Sequence, residues 1–157
     1  MRDGVRGLGA RLTGFFLVAA IGLGGSAAVS RILCCVPIVI GIAVAGALGA
    51  LARYGLDELI GRRTGSFPWG IFVVNITGAF LIGVMVETLE PRFEDSWVRA
   101  AVVTGFLGAY TTFSTFSLDT YRLLEAGQTG QAAFNAFGTL AAGLVAVWLG
   151  LSLGRTL

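Results

Sequence analysis

The sequence predicts an all-α integral membrane protein whose chain crosses the bilayer several times. Of its 157 residues, 55% are apolar and 13% are charged, and that charged share is about half the share found in a soluble domain. Its 24 glycines lie inside apolar stretches, where membrane helices use small residues for close contact. This composition argues against an ordinary soluble fold.

Four apolar runs are long enough to cross a hydrocarbon layer of about 30 Å, which takes about 20 helical residues. They cover residues 32–54, 67–86, 98–118 and 132–153. Short polar links at 55–66, 87–97 and 119–131 separate the runs and hold most of the acidic residues. Because the links are short, we expect neighbouring helices to run antiparallel.

The first 31 residues differ from the four-helix domain that we predict over residues 32–157. Three arginines precede an apolar stretch at 15–23 and a tract of small residues at 24–30, which is the layout of a secretory signal. The same segment is compatible with a fifth, weak span, or with residues translated from an upstream start codon ahead of a four-span protein. These three interpretations stay open.

The absence of two residue types narrows the function. The chain has no histidine, and all of its basic residues are arginines. This excludes histidine general bases, histidine metal sites, Schiff-base lysines and P-loop lysines, so we do not expect an enzyme. The net charge is only +2 and no basic run occurs, so we expect no nucleic-acid partner.

The arginines balance across the predicted membrane. If residue 32 opens the first of four spans, one side holds Arg31, Arg92, Arg99 and Arg155, and the other holds Arg53, Arg62, Arg63 and Arg122. Because arginine bias sets orientation, a chain without bias can insert both ways up, and two such copies can pair antiparallel. Chance balance in a chain with few arginines is the alternative.

The first two spans each hold a distinct polar feature. Gly41, Ala45, Gly49 and Arg53 recur every four residues and form one helix stripe, which we interpret as a helix contact that ends in a charge. Asn75 lies near the middle of the second span. Its N–H donors can hold an anion without a fixed charge. Alternatively, it is an interhelical hydrogen-bond partner.

The third span is a poor continuous lipid-facing helix. Between residues 105 and 117 it holds two glycines, three apart, followed by five hydroxyl residues among two phenylalanines. We expect local unwinding over residues 108–112, where free carbonyls can coordinate a cation. Phe113 and Phe116 then point the same way, with positive ring edges that suit an anion. Ordinary aromatic packing is the alternative.

Three segments carry a resemblance to a known family. GALGALARY at 46–54, FVVNITGAFLIG at 72–83 and TGFLGAYTTFSTFS at 104–117 resemble, in that order and spacing, the Fluc (CrcB) family of fluoride channels. With AVWLG at 146–150, the resemblance covers residues 38–154. It implies an antiparallel, dual-topology homodimer of four-span subunits with a break in the third helix.

The resemblance also assigns roles to individual residues. Asn75 is similar to the pore asparagine of the family, and Phe113 and Phe116 are similar to its two pore phenylalanines. Thr112 and Thr115 fall where hydroxyls line the fluoride path. The fourth span departs from the family pattern, because Asn135 and Thr139 replace its usual tyrosine and serine; we still expect both to line the pore.

Two further roles follow from the same resemblance. Gly108 and Thr111 match backbone carbonyl donors to a structural sodium ion at the centre of the dimer. Arg53 resembles the arginine near the vestibule.

The sequence therefore predicts a multi-pass protein of the inner (plasma) membrane that passively exports fluoride, with a second copy of itself and the lipid bilayer as partners. A small four-span, dual-topology transporter is one alternative. It would need a carboxylate in the first span, and residues 32–52 contain none. A structural membrane subunit is the other, and it leaves the hydroxyl-rich break of the third span unexplained.

Overall fold

The computed structural model describes residues 26–61, 65–89 and 97–157, and it describes side chains from Val36 onward. The chain divides into two units, Met1–Val39 and Ile40–Leu157. The predicted signal-like stretch at 1–25 lies outside the described residues. The contacts discussed below all belong to the second unit, which contains every predicted site residue.

The described residues form helices and short connections. Helix α1 is Ser26–Gly61 and α2 is Trp69–Leu89. Helix α3 covers residues 97–110, with a π-helical stretch at Ala100–Leu107, and α4 is Phe113–Glu125. Helix α5 is Thr129–Gly154, with a π-helical turn at Phe134–Gly138. Such π segments are frequent at functional sites.

Three helices within the described residues are long and apolar enough to cross a membrane: Val36–Gly61, Trp69–Leu89 and Thr129–Gly154. They confirm the helical character of the first, second and fourth predicted spans. The first helix is longer than predicted: it begins by Ser26 and continues through the expected polar link to Gly61. Gly55 does not end the helix, which also includes Asp57 and Glu58.

The third predicted span, 98–118, is divided between α3 and α4. The division falls at Thr111 and Thr112, both of which have extended backbone angles. An all-helical membrane fold with a break in the third segment is thus confirmed. Within the described residues, neither α3 nor α4 is one of the three helices that are long and apolar enough to cross a membrane.

Small residues bring α1 and α3 into backbone contact. A side chain at Gly49 would collide with the Phe106 carbonyl, and one at Gly105 would collide with Ile42. Gly41 lies against the ring of Trp97. The predicted stripe of small residues on α1 is therefore a helix contact, and α3 is its partner.

A second seam of small residues joins α2 to α5. Gly83 lies against the Val147 carbonyl, and Gly150 lies against the Phe80 carbonyl. At the end of the seam, Arg155 Nε donates to Glu87 Oε1 at 3.0 Å. The backbones of α2 and α5 come into direct contact because glycine has no side chain to hold them apart.

A tight turn connects α4 to α5. Gly127 has φ 72°, a left-handed angle that glycine adopts without steric cost, and Gln128 N donates to the Leu123 carbonyl at 2.8 Å. The turn reverses the chain, so α5 packs beside α4. This packing places Asn135 of α5 next to Phe116 and Thr120 of α4.

Candidate functional site

The break between α3 and α4 is the centre of the site. Thr111 has φ −77° and ψ 155°, and Thr112 has φ −148° and ψ 121°. The Thr111 N–H still donates to the Leu107 carbonyl at 3.1 Å, so the helix continues up to this residue. Unwinding was predicted from Gly108 onward, but Gly108 is helical, with φ −64° and ψ −32°. The predicted start was therefore three residues too early.

The Asn75 side chain of α2 binds the broken backbone. Its Oδ1 accepts from Thr112 N at 2.9 Å, and its Nδ2 donates to the Thr112 carbonyl at 3.2 Å. A continuous helix would have paired Thr112 N with the Gly108 carbonyl, so the amide replaces a lost helical bond. Asn75 is thus the interhelical partner that one interpretation predicted. One N–H of its amide remains for a second acceptor.

Thr112 also caps the helix that follows the break. It is 6% exposed, and its Oγ1 accepts from Thr115 N at 3.3 Å. The hydroxyls of Thr115 and Ser114 lie 3.1 and 3.2 Å from the same oxygen. Side-chain caps of this kind satisfy amide groups that have no helical partner. Three hydroxyl groups therefore meet at the N-terminus of α4.

The two phenylalanines are neighbours, as their spacing predicts. Their ring centroids are 5.8 Å apart and their planes are inclined by 40°. Phe113 is 80% exposed on the single subunit, whereas Phe116 is half-buried. Phe113 therefore contributes little to the packing of its own chain.

Asn135 of α5 lies beside Phe116 and Thr120 of α4 and is 1% exposed. Its Nδ2 donates to Thr120 Oγ1 at 2.8 Å and lies 3.5 Å from the Phe116 carbonyl. Thr120 Oγ1 itself donates to the Phe116 carbonyl at 2.8 Å. Asn135 Oδ1 and Thr139 Oγ1 are both buried, and neither has a hydrogen-bond partner among the described residues. Buried polar atoms usually have a hydrogen-bond partner, so these two atoms are the unsatisfied groups of the site.

Two site residues were missed by the sequence. Thr120 joins Asn135 to Phe116, and Tyr110 places its hydroxyl 2.8 Å from Thr77 Oγ1. Tyr110 belongs to the segment 104–117 that carries the family resemblance, but no local pattern indicates its partner, because Thr77 lies 33 positions away. Asn135 likewise lies 15 positions from Thr120. The only available signal was that a buried hydroxyl group in a membrane helix needs a partner.

The remaining predicted residues lie on α1 and α3. Arg53 is half-buried on α1, one turn beyond Gly49. No group of three or more acidic, cysteine or histidine side chains suited to a metal occurs within 26–61, 65–89 and 97–157. Of the two residues predicted to bind sodium, Gly108 follows the π-helical stretch of α3 and Thr111 is the first residue of the break.

A pocket of about 190 Å³ lies beside the α4–α5 turn, and its lining includes Ser66, Asp119, Arg122 and Gln128. Asp119 lies close to Arg122 in this pocket, with Arg122 Nη1 3.8 Å from Asp119 Oδ1.

Known proteins are similar in sequence to most of this chain. Residues 40–151 match the family described as CrcB-like protein, Camphor Resistance (CrcB). The chain is 48% identical to a fluoride-specific ion channel FluC of Acidobacterium capsulatum, over 73% of this chain and 93% of that protein. It is 43% identical to one of Geobacter sulfurreducens, over 76% and 98%.

A third relative, from Nitratidesulfovibrio vulgaris, carries the same name and is 46% identical over 73% of this chain and 94% of its own length. The matched region contains the break, the Asn75 contact, both phenylalanines and the buried asparagine of α5. The match covers these relatives nearly end to end, so it extends beyond a single motif. The chain therefore belongs to the CrcB-like family.

Proposed function

We propose that this chain forms a passive fluoride channel that exports the ion and so limits its toxicity. Two observations together support this proposal. The Asn75 amide binds the helix break next to the Phe113 and Phe116 rings, and relatives of the chain are named fluoride-specific ion channels. Fluoride accepts hydrogen bonds strongly, so a pore must replace its water shell with donors that do not hold it permanently. Neutral amides, hydroxyls and ring edges meet that requirement.

The proposed pore residues lie at the break, along α4 and on the neighbouring part of α5. The free N–H of Asn75 and the hydroxyls of Thr112 and Thr115 supply donors at the break. The edges of Phe113 and Phe116 supply the next stretch, and Thr139 and Asn135 follow on α5. Thr139 Oγ1 has no hydrogen-bond partner among the described residues, which supports its place in the pore because its proton is available for an anion.

The proposed assembly is an antiparallel, dual-topology homodimer with four membrane crossings per subunit, in which α3 and α4 together make the third crossing. Phe113 is 80% exposed on the isolated subunit, although it belongs to the proposed pore. A second copy packed on this face would enclose it. The equal arginine counts that residues 31–157 place on the two sides support insertion in both orientations. We place the dimer in the inner (plasma) membrane.

A structural sodium ion at the dimer centre is part of the proposal. The Gly108 and Thr111 carbonyls suit it, because Asn75 takes the amide that would otherwise pair with Gly108, and the extended Thr111 leaves the helical path. Carbonyl oxygens released from a broken helix are suitable ligands for sodium. When bound, the ion would supply a positive charge that holds the two breaks together. Arg53 would lie near the vestibule.

The test is ion flux from liposomes that contain the purified protein. We expect fluoride efflux that far exceeds chloride efflux and does not depend on a proton gradient. Flux that requires the gradient would indicate the small-transporter alternative. A correctly inserted protein without any flux would favour a structural subunit and would contradict the proposal.

A further inference from the structure

The residue that precedes the break has a second attachment to α2. Tyr110 is 7% exposed, and its hydroxyl lies 2.8 Å from Thr77 Oγ1. Thr77 Oγ1 already donates its hydrogen to the Val73 carbonyl at 2.7 Å. A hydroxyl has one hydrogen to donate, so Tyr110 is the donor in this pair.

The same two stretches of chain meet at three successive points. Asn75 pairs with both backbone groups of Thr112, Thr77 accepts from Tyr110, and the Thr111 methyl group packs on Gly78. A side chain on Gly78 would occupy the space of that methyl group. Residues 75–78 of α2 therefore contact each of residues 110, 111 and 112.

We propose that Tyr110 and Thr77 are positioning residues for conduction: their hydrogen bond fixes the end of α3, and thereby sets the direction in which the chain leaves the helix at Thr111. This inference rests on the proposed function, because flux is one of its readouts. The Tyr110 ring stacks on Phe106, with centroids 5.9 Å apart and planes inclined by 8°. Phe106 in turn contacts Gly49 of α1.

The reason is mechanical. The Thr111 N–H still donates to the Leu107 carbonyl, but the extended backbone angles of Thr111 and Thr112 are not those of a helix. Contacts from α2 therefore hold these angles. Asn75 holds the far side of the break, and Tyr110 holds the near side. Loss of the near contact would let Thr111 rotate, which would move its carbonyl and both phenylalanines while all helices remain folded.

Tyr110→Phe tests this directly, because it removes one oxygen and keeps the stacked ring. We expect fluoride flux to fall about three- to tenfold, the range expected for the net contribution of one hydrogen bond, and selectivity over chloride to fall with it. Tyr121→Phe is the matched control: Tyr121 is 58% exposed on α4, and its variant should match the parent.

Thr77 supplies the other half of the test. Thr77→Val should reproduce the Tyr110→Phe defect. Thr77→Ser, which keeps the hydroxyl, should conduct like the parent. The double variant should conduct no worse than either single variant, because both remove the same bond. Defects that multiply, or a Tyr110→Phe channel that behaves like the Tyr121→Phe control, would overturn the inference.

Amide hydrogen exchange gives a readout that does not need conduction. Tyr110→Phe should speed exchange of the Thr112 amide, which the Asn75 side chain protects in the parent, and should leave exchange in α2 unchanged. If the parent carries no fluoride, the proposed function fails, while exchange still tests the positioning role. Unchanged exchange at Thr112 in a conducting protein would reject the positioning role alone.

Discussion

The Asn75 amide has two N–H donors and one carbonyl oxygen, and Thr112 takes one donor and the oxygen. The residue therefore has a structural task that uses most of its side chain and leaves one donor for an ion. Asn75 can therefore be an interhelical hydrogen-bond partner and a donor to an anion at the same time. Its replacement changes the break as well as the pore, so it must be studied together with variants that change only the pore.

Asn75→Asp removes both donors and places a second acceptor oxygen against the Thr112 carbonyl. We expect fluoride flux to fall by at least about tenfold, with a loss of about 1–3 kcal/mol of stability from the mispaired break. Liposome flux and thermal unfolding in detergent measure the two effects. Flux equal to that of the parent would contradict the role of the Asn75 donors.

The two phenylalanines offer a cleaner separation of pore and packing. Phe113→Ile removes the ring edge from a side chain that is 80% exposed on the subunit, so flux should drop strongly while subunit stability stays within about 0.5 kcal/mol of the parent. Phe116→Ile should also reduce flux, but with some loss of stability because this ring is half-buried.

Phe137→Ile is the control for both variants, because Phe137 is 73% exposed on α5 and is outside the proposed pore. It should conduct like the parent. Equal flux from all three variants would show that the phenylalanine rings do not line the fluoride path.

At the scale of helices, close contact depends on particular glycines and not on glycine in general. Gly49 of α1 has no room for a side chain beside the Phe106 carbonyl. Gly108 has helical backbone angles, and a side-chain carbon there would meet only the Val103 carbonyl, at 3.8 Å. The two glycines lie in the same helix pair but differ in the space around them.

Gly49→Val should therefore separate α1 from α3 and reduce stability by about 1–3 kcal/mol, the usual effect of overpacking. Gly108→Val should leave the subunit folded and weaken the dimer instead, because the proposed partner and its sodium ion lie on that side. Circular dichroism and size-exclusion chromatography distinguish these outcomes. A stable Gly108→Val dimer would contradict the proposed cation site.

At the scale of the whole molecule, the proposed dimer requires subunits of opposite orientation. C-terminal reporters on a chain that begins near Arg31 should show both orientations, because the arginines of residues 31–157 divide equally between the two sides. The full chain should be biased by Arg2, Arg6 and Arg11. A single orientation of the shorter chain would exclude the antiparallel dimer.

The sequence by itself determined the helical membrane class, the small-residue contact of α1 and the pairing of Phe113 with Phe116. It also indicated a break in the third segment, but not that the break begins at Thr111. These features depend on composition and on the 3.6-residue period of a helix, which are local properties that neighbouring residues express together. The end of the first helix could not be predicted, because charged residues are tolerated on an exposed helix end.

Only the tertiary structure decided what the polar side chains bind. Asn75 meets Thr112 across 37 positions of the chain, Tyr110 meets Thr77 across 33, and Asn135 meets Thr120 across 15. No local pattern specifies such partners, because a side-chain amide or hydroxyl bonds to whichever group the packing of two helices places within about 3 Å. For that reason the sequence could identify the break, whereas the residues that hold it in place emerged only from the packed helices.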